Sequence, residues 1–248
     1  MYTKELKIAV QAVKRSEKTF RKYFGTKTQV RMKNRNRLDL VSYADKQIER
    51  EIKAFLKKQF PSYGFIGEEH GHTNSNAEFV WALDPIDGTA NYLQGISYCA
   101  ISLGLLKNMK PVVGVVSAPA LNLFYTARLG GKARLNGKII RASKVTGIRD
   151  AFGSLGWGRD RAFGIKWLPR LLKQIRKMRV PGSAAVGFCY VAQGLYDFLI
   201  HSSLNIWDYA AGQIIIEEAG GVFINSKFKN LQIAANKMLA AKLFKLFK

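Results

Sequence analysis

Carboxylates are the scarce resource of this sequence. Seventeen Asp and Glu stand against 40 Lys and Arg, a formal net charge of +23 over 248 residues. With so few acids, several falling close together are less readily explained as surface decoration. Cysteine is nearly absent too. Cys99 and Cys189 both lie in apolar segments, and two thiols build no disulfide framework. Six prolines against 22 glycines exclude collagen-like and low-complexity character. No apolar run reaches the 18 residues of a membrane span. The opening Met1-Tyr-Thr-Lys-Glu-Leu-Lys lacks the apolar core of a secretory signal, so no membrane partner and a cytoplasmic location are expected. No repeat, finger spacing or RNP string is found, and the basic residues are spread along the whole chain. The charge therefore fits a Lys/Arg-rich composition that also attracts anionic substrates better than it fits a nucleic-acid-binding domain.

What is present is 48% hydrophobic residues, enough for a sizeable core. Residues 2–24 repeat Tyr2, Leu6, Ala9, Val13, Phe20 and Phe24 at helical steps, and Gly25 ends the pattern. Residues 29–42 read as extended. A second helix is expected over 45–60, ahead of Pro61. Phe79 to Leu83 is a short apolar strand ending at Asp84-Pro85. Residues 98–128 alternate strand-like runs with short turns, the pattern of an antiparallel meander. After about residue 150 strands and helices alternate: a helix over 184–193, a strand over 196–200, a helix over 207–219 closed by Gly220-Gly221, and a basic amphipathic helix over 236–248. That last helix is expected to dock on the body rather than to contact membrane or RNA.

The acids gather at Glu68-Glu69, Asp84, Asp87 and Asp208. Asp84-Pro85-Ile86-Asp87-Gly88-Thr89 follows an apolar strand directly, which puts two carboxylates where the backbone changes direction. Pro85 fixes its own φ, and Gly88 permits close backbone approach by a ligand. A helix opened at Thr89 would turn free N–H groups toward a phosphate. Carboxylates alone would repel that phosphate, so a divalent cation is expected between them. Hard oxygen donors suit Mg²⁺ or Mn²⁺ better than Zn²⁺.

This hexapeptide resembles the signature of the inositol monophosphatase family. The likeness extends to Gly67-Glu68-Glu69 before it and Trp207-Asp208-Tyr-Ala-Ala-Gly after it. Asp39-Leu-Val-Ser-Tyr-Ala-Asp45 resembles an upstream element of the same family. Tyr125-Thr-Ala-Arg, Asn136-Gly and Gly220-Gly221-Val fall in the same order, so the resemblance covers nearly the whole chain.

The resemblance implies a fold and a chemistry. The fold is α/β (α+β), a layered αβαβα sandwich of the sugar-phosphatase type, formed by one domain over 1–248. Residues 1–150 would be the metal-binding half with an antiparallel sheet, and 151–248 the mixed half. Glu68, Asp84, the carbonyl of Ile86, Asp87 and Asp208 would hold more than one Mg²⁺ ion. Asp39, Thr89 and Glu68 would serve catalysis, with Asp39 and the Thr89 hydroxyl binding the attacking water. Asp87, Gly88 and Thr89 would hold phosphate, and Gly182, Ser183, Ala184 and His201 would face the alcohol. The substrate would be a small phosphorylated polyol or sugar, inositol 1-phosphate first. Fructose 1,6-bisphosphate, histidinol phosphate and 3′-phosphoadenosine 5′-phosphate are the alternatives. A homodimer and lithium sensitivity are implied on the same ground.

Two positions depart from the family pattern. Ser42 replaces a Thr and keeps the hydroxyl. His201, seven residues before Asp208, stands where inositol-specific members carry a Glu that binds ring hydroxyls. An imidazole offers different hydrogen bonding and a titratable charge, which opens specificity to another ester; the alternative is a partly exposed strand-end residue with no ligand role. His70 and His72 are expected to face solvent in a lid loop, and Trp207 to pack in the core. The alternative of a different class is an RNA-associated protein that uses its basic surface.

Overall fold

The computed structural model describes residues 1–26, 31–32, 40–41, 43–158 and 160–248. The helices are α1 (Thr3–Tyr23), α2 (Tyr43–Gln59), α3 (Thr89–Leu93), α4 (Arg161–Leu172), α5 (Ala184–Ala192), α6 (Ile206–Glu218) and α7 (Lys237–Lys245). The strands of the first half are β1 (Arg31–Met32), β2 (Leu40–Val41), β3 (Gly64–Gly67), β4 (Gly71–Thr73), β5 (Phe79–Asp87), β6 (Ala100–Lys107), β7 (Lys110–Ala118), β8 (Leu123–Arg128), β9 (Arg134–Leu135) and β10 (Lys138–Ile139). Those of the second half are β11 (Phe152–Gly156), β12 (Lys177–Arg179), β13 (Phe198–Ser202), β14 (Val222–Ser226) and β15 (Leu231–Ala235).

Eight strands form one sheet in the order β10-β9-β8-β7-β6-β5-β3-β4, and five form a second in the order β12-β11-β13-β15-β14. The apolar stripes recognised in the sequence decide the layering. Ala9, Val13 and Phe20 of α1 and Ile48, Ile52 and Leu56 of α2 bury against one face of the large sheet. α5 and α6 fill the space between the sheets through Phe188, Ile214 and Ile215. α4 and α7 close the far side of the small sheet through Phe163, Trp167, Leu239 and Leu243. The result is the expected αβαβα sandwich. α7 docks, with Phe247 buried against Phe163 and Trp167. Cys99 and Cys189 are free and buried. Among the described residues, no helix is long and apolar enough to cross a membrane.

α6 sits unusually close to the large sheet. Gly104 of β6 and Gly114 of β7 are cross-strand partners. A Cβ on Gly104 would stand 2.8 Å from the Ala210 Cβ, and one on Gly114 would stand 2.6 Å from the Ala211 carbonyl oxygen. Two missing side chains thus make a flat seat for the helix.

β5 differs from its expected form. It does not end at Asp84-Pro85 but continues to Asp87 with a register shift between Asp84 and Asp87. Pro85 has no N–H for a ladder, and a bulge is where a strand tolerates that loss. β13 lies two residues later than expected, which places His201 inside the strand. Of the extended segment over 29–42, residues 31–32 and 40–41 pair antiparallel. The expected roles of Asp39 and Ser42 fall outside the described residues.

Candidate active site

Three structural elements converge on Asp84. The parallel pairing of β3 with β5 sets Gly67 opposite Leu83, and the N–H of Glu68 bonds the Leu83 carbonyl at 3.3 Å. Glu68 therefore leaves its strand beside Asp84. The bulge then delivers Asp87 from the same strand. α6, seated on the two glycines, brings in Asp208 from its first turn, where the carboxylate accepts the Asn205 N–H at 2.7 Å. Asp45, in the first turn of α2, is buried and joins from the opposite layer.

Asp84 is 3% exposed. Burial pushes its pKa well above the usual carboxylate range, and the charges of Glu68, Asp87, Asp208 and Asp45 push it further. It accepts the Ile86 N–H at 3.0 Å. Asp87 is also raised, to about 6, by burial first. Opposing that rise, it accepts from the Ser183 hydroxyl, from the Ala185 N–H at 2.7 Å and from the Ala184 N–H at 3.3 Å. It sits at the N-terminal end of α5, where the helix dipole favours negative charge. Gly182, Ser183 and Ala184 are thereby brought against the Asp87-Gly88 turn, and Ser183 also caps α5 through the Val186 N–H. Gly88 has φ +87°, and a Cβ there would meet the Gly182 and Tyr98 carbonyls at 3.1 and 3.2 Å. That is a position only glycine fills without strain.

Thr89 opens α3 as expected. Its hydroxyl lies 3.1 Å from the Ile86 carbonyl and 3.5 Å from Asp45 Oδ1. Asp45 closes the upstream motif Asp39-Leu-Val-Ser-Tyr-Ala-Asp45, which by itself gives it no part in the site. Its burial, its place beside Thr89 and its charge on Asp84 now do so. The only signal in the sequence is its place in that motif, since a helical acid followed four residues later by Glu49 reads equally as a solvated face.

His201 lies 9% exposed at the end of β13. Its Nδ1 stands 2.8 Å from the Ser202 carbonyl, which assigns the proton to Nδ1. Burial lowers its pKa to about 4, so the ring is neutral near pH 7. A Cβ on Gly156 would run into the imidazole. His70 is exposed as expected, but its ring is tied to the body, with Nδ1 3.0 Å from Glu49 Oε1. His72 is exposed and makes a T-shaped ring contact with Trp207, which packs with Ile66, Val80 and Ala210.

Among the described residues, no three His, Cys, Asp or Glu side chains already surround one point at ligand distance. Asp84, Asp87 and Asp208 each accept a backbone N–H instead. The donor set nevertheless fits a hard divalent cation. Oxygen donors predominate, and two buried carboxylates are held up by burial and mutual repulsion, the two effects that a cation offsets.

The αβαβα layering, with Glu68, Asp87, Asp208 and Asp45 gathered around the buried Asp84, points to a phosphatase. The chain belongs to the inositol monophosphatase family, whose model matches residues 1–247. It is a phosphoric monoester hydrolase, of a family whose enzymes are generally metal-dependent. It is 34% identical over 224 residues to the fructose-1,6-bisphosphatase/inositol-1-monophosphatase of Aquifex aeolicus, covering 89% of this chain and 85% of that one. It is 36% identical over 222 residues to the inositol-1-monophosphatase of Rhizobium meliloti, covering 87% and 83%. The extragenic suppressor protein suhB of Bartonella henselae superposes with a TM-score of 0.92 at 29% identity, over 99% of each chain.

Proposed function

We propose that this protein hydrolyses a small polyol or sugar phosphate monoester, inositol 1-phosphate before fructose 1,6-bisphosphate, histidinol phosphate or 3′-phosphoadenosine 5′-phosphate. The carrying observation is the gathering of Glu68, Asp87, Asp208 and Asp45 charge around the buried Asp84. Glu68, Asp84, Asp87, Asp208 and the Ile86 carbonyl would hold Mg²⁺, with more than one ion or with Mn²⁺ in its place. When bound, these ions supply positive charge against the phosphate and the leaving oxygen, and acidify water.

The chain's own groups do the rest. Asp87 is fixed by three donors from the start of α5, so its carboxylate has little freedom to drift. The Thr89 hydroxyl has one proton and two acceptors, the Ile86 carbonyl and Asp45. With that proton given to either, its lone pairs remain to take a hydrogen bond from water. Asp39 would share that task. The N–H groups of Gly88 and Thr89, where α3 begins, would hold phosphate oxygens. With its proton on Nδ1, His201 offers Nε2 as an acceptor to a hydroxyl of the alcohol, where a charged acid would accept more strongly. The site would work within a homodimer.

The test is Mg²⁺-dependent phosphate release from the four esters, with Asp87→Asn as control. Turnover of at least one ester, reduced by about 10³-fold or more in the control, is expected. No Mg²⁺-dependent turnover of any of them refutes the reading.

A second reading has its own observation. Residues 161–196 contain no Asp or Glu, yet Arg161, Lys166, Arg170, Lys173, Arg176, Lys177 and Arg179 all fall there. α4 is packed against Phe247, and Arg170, Lys173 and Lys248 line one groove at that junction, about 510 Å³ in volume. This face would bind a polyanion such as RNA. Binding that falls steeply with salt and survives Asp87→Asn supports it, and no binding at physiological salt refutes it.

A further inference from the structure

Glu49 belongs to none of the motifs above, yet it is completely buried on α2. Its Oε2 accepts the Glu69 N–H at 2.9 Å, and its Oε1 accepts the His70 N–H at 2.8 Å. Oε1 also meets His70 Nδ1 at 3.0 Å. Arg50 Nε points at His70 Nε2 from 3.5 Å, which leaves Nε2 as the acceptor and Nδ1 as the donor to Glu49. Three donors from one turn thus converge on one carboxylate.

The fit is tight on the other side as well. A Cβ on Gly67 would stand 2.5 Å from Glu49 Cδ and Oε1, so the carboxylate lies directly beneath that residue. Residues 68–70 link β3 to β4, and Glu68 is the first of the three. A buried carboxylate is costly unless its acceptors are filled, and here the backbone of the turn fills them. Any movement of residues 68–70 off this anchor would leave a buried charge short of partners. The turn is therefore held in one place by α2, a helix of a different layer.

We infer that Glu49 is a positioning residue: by gripping the N–H groups of Glu69 and His70, and with Gly67 closed over it, it fixes where the Glu68 carboxylate stands relative to Asp84. This inference rests on the carboxylate-cluster reading proposed above. Outer partners that orient a ligating group tune metal affinity by about 10–100-fold, and Glu49 acts through the backbone in the same way.

Glu49→Gln is the first test. It keeps the shape but offers one acceptor and one NH₂ to a turn that presents donors only. Leu243→Ala, a buried position on α7 beyond the small sheet, is the comparison for general loss of stability. Mg²⁺ binding is read by calorimetric titration and by the Mg²⁺-induced rise in Tm, alongside the Mg²⁺ concentration giving half-maximal phosphate release. Glu49→Gln is expected to weaken Mg²⁺ binding by about 10-fold or more while Leu243→Ala leaves it unchanged. Should Glu49→Gln fail to fold, Glu49→Asp keeps both acceptors on a shorter arm and is expected to weaken binding by several-fold. Wild-type Mg²⁺ affinity in the folded Glu variant overturns the inference, whatever stability it has lost. If the wild-type protein itself binds no Mg²⁺ by either method, the cluster reading falls and takes this inference with it.

Discussion

Gly104→Ala asks whether the seat of α6 sets the geometry of the site. The added Cβ would stand 2.8 Å from the Ala210 Cβ, 3.0 Å from the Ala211 nitrogen and 3.1 Å from the Ala210 carbonyl carbon. Carbon atoms pack at about 3.5–4.0 Å, so the helix must withdraw by roughly 1 Å or the sheet must yield. Overpacking of this size costs about 1–3 kcal/mol. Ala210 is two residues beyond Asp208, so the same withdrawal shifts that carboxylate away from Asp84. A displacement of about 1 Å at a reacting centre lowers turnover by roughly 10²-fold. Urea unfolding gives the stability term. Mg²⁺-dependent phosphate release at a temperature where the variant is folded gives the catalytic one. Loss of both is expected. Lost stability with turnover within twofold of wild type would show that the site does not depend on where α6 rests.

Other outcomes follow from the same geometry. Asp84→Asn removes a charge that burial and four acidic neighbours disfavour; it is expected to raise Tm in EDTA by roughly 2–6 °C while abolishing Mg²⁺-dependent phosphate release, and a lowered Tm would count against the repulsion. His201 has its pKa lowered from 6.5 to about 4, so the stability gained by keeping it neutral is complete above pH 6.5 and drains away as pH falls toward 4. Its size is on the order of 3 kcal/mol, so wild type and His201→Gln compared in urea at pH 7 and pH 4 should diverge in their pH dependence, and parallel curves would refute the burial of a neutral ring. Ser183→Ala removes one donor to Asp87 and the cap of α5; a loss of about 1–2 kcal/mol in unfolding free energy together with weaker Mg²⁺ binding is expected, and unchanged Mg²⁺ titration would separate the cap from the site.

The layers and the core of the site were legible in the sequence for one reason: they rest on short-range patterns. Helical stripes marked α1, α2 and α7, and the meander from β6 to β8 announced itself by strand runs and turns. Asp84-Pro-Ile-Asp-Gly-Thr was readable because chemistry and backbone constraint coincide in six residues. What was not legible depends on contacts between distant segments. Nothing near Pro85 says that the strand resumes after it; the bulge exists because β6 still pairs with Asp87. Nothing near Glu49 distinguishes it from the surface acids of an amphipathic helix until Gly67 and the turn at Glu69 close over it. Asp45 was visible as a letter in a motif but acquires a place only when α2 packs against β5. His201 was noticed for its position, while its neutrality comes from burial beneath Gly156, which no local pattern encodes.

The two sheets divide the labour. Glu68, Asp84 and Asp87 are all carried by the large sheet, Asp84 and Asp87 within β5 and Glu68 as the residue after β3. His201 comes from the small one, and its packing partner Gly156 lies on the neighbouring strand of that same sheet. On the proposed reading, the groups that act on phosphate and the group that meets the alcohol are thus carried by separate frames that share the α5–α6 layer. Substitutions at the end of β13 can trade one alcohol for another while the acids stay where β5 puts them. On that reading, specificity and hydrolysis would be open to separate change.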